Sequence, residues 1–170
     1  MPESAQERPQ RVLDALNRVI GKLFVSGFLM DSLIRVGNRP EFNLQYKYGH
    51  QLVLEGLLLA LRKFEDLYEY HLVQLLPTDA PGLTQAKQAV EECRSRSLRK
   101  LANQMAAHYA ENKEDDPLAG EELIDLMKLT GWVEEREVLD WLKPLGLKII
   151  AVRDELSRGI SDGSQTSRST

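Results

Sequence analysis

Three histidines and one cysteine are the side chains best able to transfer protons, attack carbonyls or hold a metal, and their surroundings decide which of these they can do. His50, His71 and His108 have no partner at metal-ligand spacing, no HExxH pair exists, and Cys93 stands alone. A Cys-rich zinc site, an internal disulfide and a bound metal are therefore not expected. No Gly-x-Ser-x-Gly elbow is present and Cys93 has no flanking base, which disfavours nucleophilic acyl chemistry. His71, in Leu67–Leu72, reads as a structural helix residue, whereas His50 follows Gly49 near a helix start and could be exposed or hydrogen-bonded there. His108 has the most open setting. Small residues, Ala106 and Ala107, precede it, and Arg96, Arg99 and Lys100 lie upstream on the same predicted helix. Such a segment could bring an imidazole near a phosphate.

Charge supports that placement without demanding it. Five basic residues stand against two acidic ones between Lys87 and Lys100, and seven acidic residues against Lys113 between Glu111 and Asp125. The ordinary meaning of such runs is two solvated faces or loops. The functional meaning is a basic face meeting phosphate beside the end of the third helix. Trp132 and Trp141, nine residues apart, read as core anchors for the last helix rather than as a base-stacking platform. Tyr46 and Tyr48, beside His50, could line a groove.

The elements that must carry these side chains are all helices. From Pro9 to Val36, Val12, Leu16, Val19, Leu23, Leu29 and Leu33 follow a three-to-four spacing, with Val25 just off the line. Gly37, Asn38 and Pro40 supply the stop. A second helix, from His50 to Leu76, carries Leu54, Leu57, Leu58, Leu61, Phe64, Tyr68, Leu72 and Leu75 as one stripe. Leu52, Val53, Leu59 and Leu67 broaden it, so this helix should be central and buried on more than one side. Thr84 is placed as the cap of a third helix reaching about Ala110. Residues 111–117 break it, a short helix follows around Gly120–Leu129, and Gly131 ends that one. The last helix is expected from Val133 to about Ser157, with Pro144 and Gly146 interrupting it. No period-two strand pattern, repeat or Gly-rich phosphate loop occurs. The expected fold is an all-α bundle of four or five helices.

Length and composition agree. The chain has 170 residues, 42 % hydrophobic and 28 % charged, enough for one globular domain. Residues 1–8 read as a flexible N-terminus, 9–158 as a single helical domain and 159–170 as a disordered tail. A net charge of −4 argues against non-specific coating of a polyanion. The polar start is unlike a signal peptide and no apolar run approaches the roughly 20 residues needed to span a bilayer, so a cytoplasmic location with no membrane partner is expected. An amphipathic membrane-surface role is disfavoured too, because no basic amphipathic segment stands apart from the bundle.

One stretch resembles a known family. Leu98-Arg99-Lys100-Leu101 followed by Asn103-Gln104-Met105-Ala106-Ala107-His108 is similar to the signature of the HEPN superfamily, in which an arginine, a polar residue and a later histidine lie on a helix after a Leu-rich one. Residues 57–66 resemble the long helix of the abortive-infection-type members, and the likeness spans roughly residues 44–158. It implies a metal-independent ribonuclease needing no cofactor, a toxin or phage-defence effector built as a homodimer, with RNA as substrate and an antitoxin or defence-system partner. His108 would transfer a proton at the ribose 2′-hydroxyl or leaving oxygen. Asn103 would orient the phosphate or the histidine, and Arg96, Arg99, Lys100 and Tyr109 would contact the RNA. The position where the family carries its arginine is Ala102, which removes the guanidinium fork that would stabilise the phosphate as charge builds. Arg99, about 900° round the helix from His108, lies on the opposite face. Lys100 is about 80° away but some ~12 Å along the axis. The chain is then either a naturally degenerate member or one in which the arginine has been exchanged. The alternative is a non-catalytic helical interaction or regulatory protein that keeps the bundle.

Overall fold

A computed structural model describes residues 7–37, 41, 43–103, 128, 130–132 and 134–166. Helix α1, Glu7–Val36, buries Val12, Leu16, Val19, Leu23, Ser26 and Met30, a stepping of three and four that keeps one line facing inward. Leu29, expected on that line, is instead 38 % exposed, because the line passes through Ser26 and Met30. The helix stops at Gly37, whose φ of 67° is cheap only without a Cβ, and whose N–H donates to the Leu33 carbonyl at 2.9 Å.

Helix α2 runs from Asn43 to Leu67, continues through one π-helical turn at Tyr68–Leu72, and ends with Val73–Leu75 before Pro77. It is the central helix expected from its Leu content: Val53, Leu54, Leu57, Leu58, Leu61, Phe64 and Leu67 are all buried. Leu52 and Leu59 depart from the expectation; seven residues apart, they share the outer line and are 69 % and 58 % exposed. Arg8 ties the start of α1 to the π turn by donating to the Tyr70 carbonyl at 3.1 Å and to Gln74 Oε1 at 2.6 Å.

Helix α3, Pro81–Ser95, starts a turn earlier than Thr84. Ala80 is its N-cap, Pro81 takes the first helical position where a missing N–H costs nothing, and the Thr84 N–H donates to the Ala80 carbonyl. It also ends before the expected Ala110, since Ser97 adopts a left-handed φ of 55° and breaks the helix; residues 98–103 then turn as a separate helical run. The expected break at 111–117 and most of the short helix at 120–129 lie outside the described residues. Gly131, with φ 76°, marks the turn after Lys128.

Helix α4, Glu135–Thr166, is neither split by Pro144 nor ended at Ser157. Val138, Leu142, Leu145, Ile149, Val152 and Leu156 are buried along its whole length, so packing on both sides of the proline holds the axis together. The Pro144 ring faces water, as does Asp140, four residues back, whose carbonyl loses its helical donor. Beyond Ser157 each residue adds a hydrogen bond to a helix already nucleated, and Ile160 packs against the core; the expected disordered tail is helical as far as Thr166.

Cross-contacts give the topology. Gly56 lies against Ser26 and Gly49 against Leu33; Gly27 lies against Leu142 and Arg153 reaches Asn17; Gly82 meets Glu155 and Lys148 pairs with Glu92. Helix α1 is therefore antiparallel to α2 and α4, and α3 is antiparallel to α4. This is an all-α, up-and-down helical bundle around one core.

Candidate functional site

The basic segment does not form one continuous face. Arg96 is half-buried, its guanidinium 5.4 Å from the Trp132 ring and 5.5 Å from the Trp141 ring, and it donates to the Thr130 carbonyl at 3.2 Å. The two indoles are themselves 5.1 Å apart, and Trp132 is fully buried. Arg96 thus staples the end of α3 to the start of α4 by cation–π contact, and the tryptophans act as core anchors. Arg94 pairs with Glu69 across α3 and α2. Arg99, Lys100 and Asn103 are exposed, while Leu98 and Leu101 are buried and Ala102 is half-buried against the core. Position 102 therefore faces inward and position 103 outward. His108 and Tyr109 lie outside the described residues.

Glu65 sits beneath this segment, only 3 % exposed, a buried carboxylate that charge counting does not single out. Burial pushes its carboxyl pKa up, against the pull of Arg94 and Arg99. Its signal was a carboxylate beside Phe64 within an apolar stripe. Cys93 is also fully buried, and its thiol is pushed up to about 12, chiefly by burial, so it is no nucleophile at neutral pH.

A second polar cluster joins the starts of α2 and α4. His50, 2 % exposed, donates from Nδ1 to the Tyr46 carbonyl at 3.1 Å. Its Nε2 lies 3.2 Å from Glu135 Oε1, close but not aligned for a hydrogen bond, and Tyr46 Oη donates to that same oxygen at 2.8 Å. The Tyr46 ring meets the imidazole edge-on at 4.2 Å. Burial lowers the His50 pKa, outweighing the Tyr46 carbonyl and Glu135. The Tyr46 phenol is raised to about 12 by burial and by Glu135. The bond from Tyr46 Oη to Glu135 clamps the two helices, and the His50 ring is buried against it. Tyr46 belongs to that clamp, and Tyr48 is 47 % exposed beside it. Among the described residues, no group of three or more His, Cys, Asp or Glu side chains is placed to hold a metal ion, and no helix is long and apolar enough to cross a membrane.

One exposed feature among the described residues is apolar. A groove of about 490 Å³ runs between α1 and α4, with Phe24, Phe28 and Leu147 on its walls and Gly27 and Gly146 in its lining. Phe24 is 79 % exposed, Phe28 68 % and Leu147 63 %. Core periodicity alone does not reveal it; its signal in the sequence is Ile20, Phe24 and Phe28, whose spacing of four forms a second apolar line on α1 beside the core line.

The fold defines a class, the all-α helical bundle. Beyond that class, no family model matches the chain, and neither a curated protein nor a solved structure matches it.

Proposed function

We propose that this chain is a non-catalytic helical interaction protein, a bundle that acts through a surface rather than through bond making and breaking. The observation that carries this is the α1–α4 groove, whose phenylalanine walls a solitary domain would gain by burying. Two features point the same way. The position that a HEPN-type nuclease would give to arginine is Ala102, packed against the core, and Arg96 is engaged by two indoles and a carbonyl.

A second reading keeps the HEPN-like ribonuclease scaffold, as a cytoplasmic toxin or phage-defence effector that works as a homodimer on RNA beside an antitoxin or defence-system partner. It is favoured by Arg99, Lys100 and Asn103, which are all exposed and precede His108 in the chain. In this reading His108 supplies the acid–base step, and the missing guanidinium accounts for an inactive enzyme. The deciding experiment compares the native chain with Ala102→Arg on single-stranded RNA and tRNA without added metal. An interaction protein leaves RNA intact in both forms. If Ala102→Arg raises cleavage by about a hundredfold or more, the scale on which one transition-state donor acts, and His108→Ala abolishes that gain, the ribonuclease reading replaces it.

A further inference from the structure

We propose that Glu65 is a pH-sensitive catch under the 98–103 run: protonated, it lets that run lie closed over it, and on ionising it releases the run toward solvent. The proposal goes beyond the interaction role inferred above and does not depend on it.

Burial and the missing partner carry the argument. Glu65 is 3 % exposed and makes no hydrogen bond or ion pair with a described residue. An ionised carboxylate has lone pairs for about four donors, and in the closed arrangement none is supplied, so that arrangement suits the neutral acid. On α2 and its π turn, Asp66 and Glu69 add like charge. On α3, the Cys93 thiol is fully buried and Arg94 is already paired with Glu69, one turn beyond Glu65. On the run itself, Arg99 is exposed and forms no ion pair with a described residue. Burial is the largest influence on the Glu65 carboxyl and pushes its pKa up, against the pull of the two guanidiniums.

Ionising Glu65 therefore demands a rearrangement. Drawing Arg94 across would strip Glu69 of its partner. Arg99 is uncommitted, but it stands in solvent while Glu65 is under cover, so the two meet only if the run shifts. The run is the piece of the fold able to shift. Ser97, at φ 55°, separates it from α3, so it can lift without unwinding that helix. A run of this length does not hold its helix alone; it is kept in place by Leu98 and Leu101, 2 % and 1 % exposed.

The sign follows from burial. Lifted, Glu65 regains the ordinary value of 4.5; closed, it keeps its proton to a higher pH. The closed state is thus fully stabilised below 4.5, and that stabilisation is lost as the pH rises through the closed-state value. Arg99, Lys100 and Asn103, the exposed polar residues of the run, are freed with it.

The test is amide hydrogen exchange of the full chain from about pH 4.5 to about pH 8, corrected for intrinsic rates. It is read at the Leu101 N–H, which donates to the Ser97 carbonyl at 3.1 Å, and at Ile149 in the core of α4. Leu101 should exchange at least about tenfold faster than Ile149 throughout, the mark of local opening, and its protection should fall at least about threefold as the pH rises. In Glu65→Gln, neutral at every pH, that fall should vanish. Arg99→Gln, a change at an exposed position, removes a pull toward ionisation and should deepen the fall and carry it to higher pH. The proposal is overturned if Leu101 is protected as well as Ile149, if its protection does not fall with pH, or if the fall persists in Glu65→Gln. Should Glu65→Gln fail to fold, Arg99→Gln decides, and an unchanged profile there overturns the proposal as well.

Discussion

Replacing His50 by Asn should remove a definite part of the pH dependence of stability. Asn retains an N–H where Nδ1 donates to the Tyr46 carbonyl but cannot titrate. Because burial lowers the His50 pKa in the folded chain, the unfolded chain takes up a proton that the folded one refuses. The neutral imidazole therefore contributes stability that is fully present above the unfolded value of about 6.5 and is lost as the pH falls below it. At pH 7.5 the loss is below about 0.1 kcal/mol; at pH 5.5 it reaches at most about 1.4 kcal/mol, from the tenfold excess of protonated unfolded chain. Glu65 works in the opposite sense. Its raised pKa stabilises the fold at low pH and costs stability as the pH rises through its folded value, and it is common to both proteins. The difference between wild type and variant isolates the imidazole. Urea denaturation at pH 7.5 and 5.5 should show His50→Asn less stable at the higher pH by about 1–3 kcal/mol, from lost packing of a buried ring. That gap should then narrow by up to about 1.4 kcal/mol at the lower pH. Parallel pH profiles for the two proteins would refute the placement of a neutral, buried imidazole between Tyr46 and Glu135.

Other perturbations test the packing around the candidate sites. Ser97→Gly should stabilise the chain by up to about 1 kcal/mol, read as a rise in melting temperature, because a left-handed φ of 55° penalises any residue with a Cβ. Trp132→Ala should cost about 3–5 kcal/mol by emptying the largest fully buried site and releasing Arg96 from one of its rings. Cys93, with its thiol near 12, should be at most about one part in 10,000 thiolate at pH 8, so a disulfide reagent should label it only after denaturation. Rapid labelling of the native chain would contradict its burial.

The sequence by itself determined the fold class. Apolar residues stepping by three and four, with Gly37, Pro77 and Gly131 between the runs, can bury their stripes only as helices on helices, and the central place of α2 follows from its Leu content. Local signals did not decide where helices stop. Pro144 reads as a break, yet the helix continues because the core on either side outweighs one lost hydrogen bond and the freed carbonyl faces water. Ser97 gives no local sign of breaking a helix, yet it does, because Arg96 must reach the two indoles while Leu98 and Leu101 return to the core. The roles of the polar residues were decided by tertiary structure alone. A charge count over residues 87–100 cannot distinguish Arg96, held in a tryptophan stack, from Arg99, left in solvent. Nor can it show that His50 meets a glutamate 85 positions away in the chain. Periodicity reports which side of a helix is apolar; whether a second apolar line such as Ile20, Phe24 and Phe28 is covered depends on which elements pack over it, and in the fold Phe24 and Phe28 stay mostly exposed beside α4.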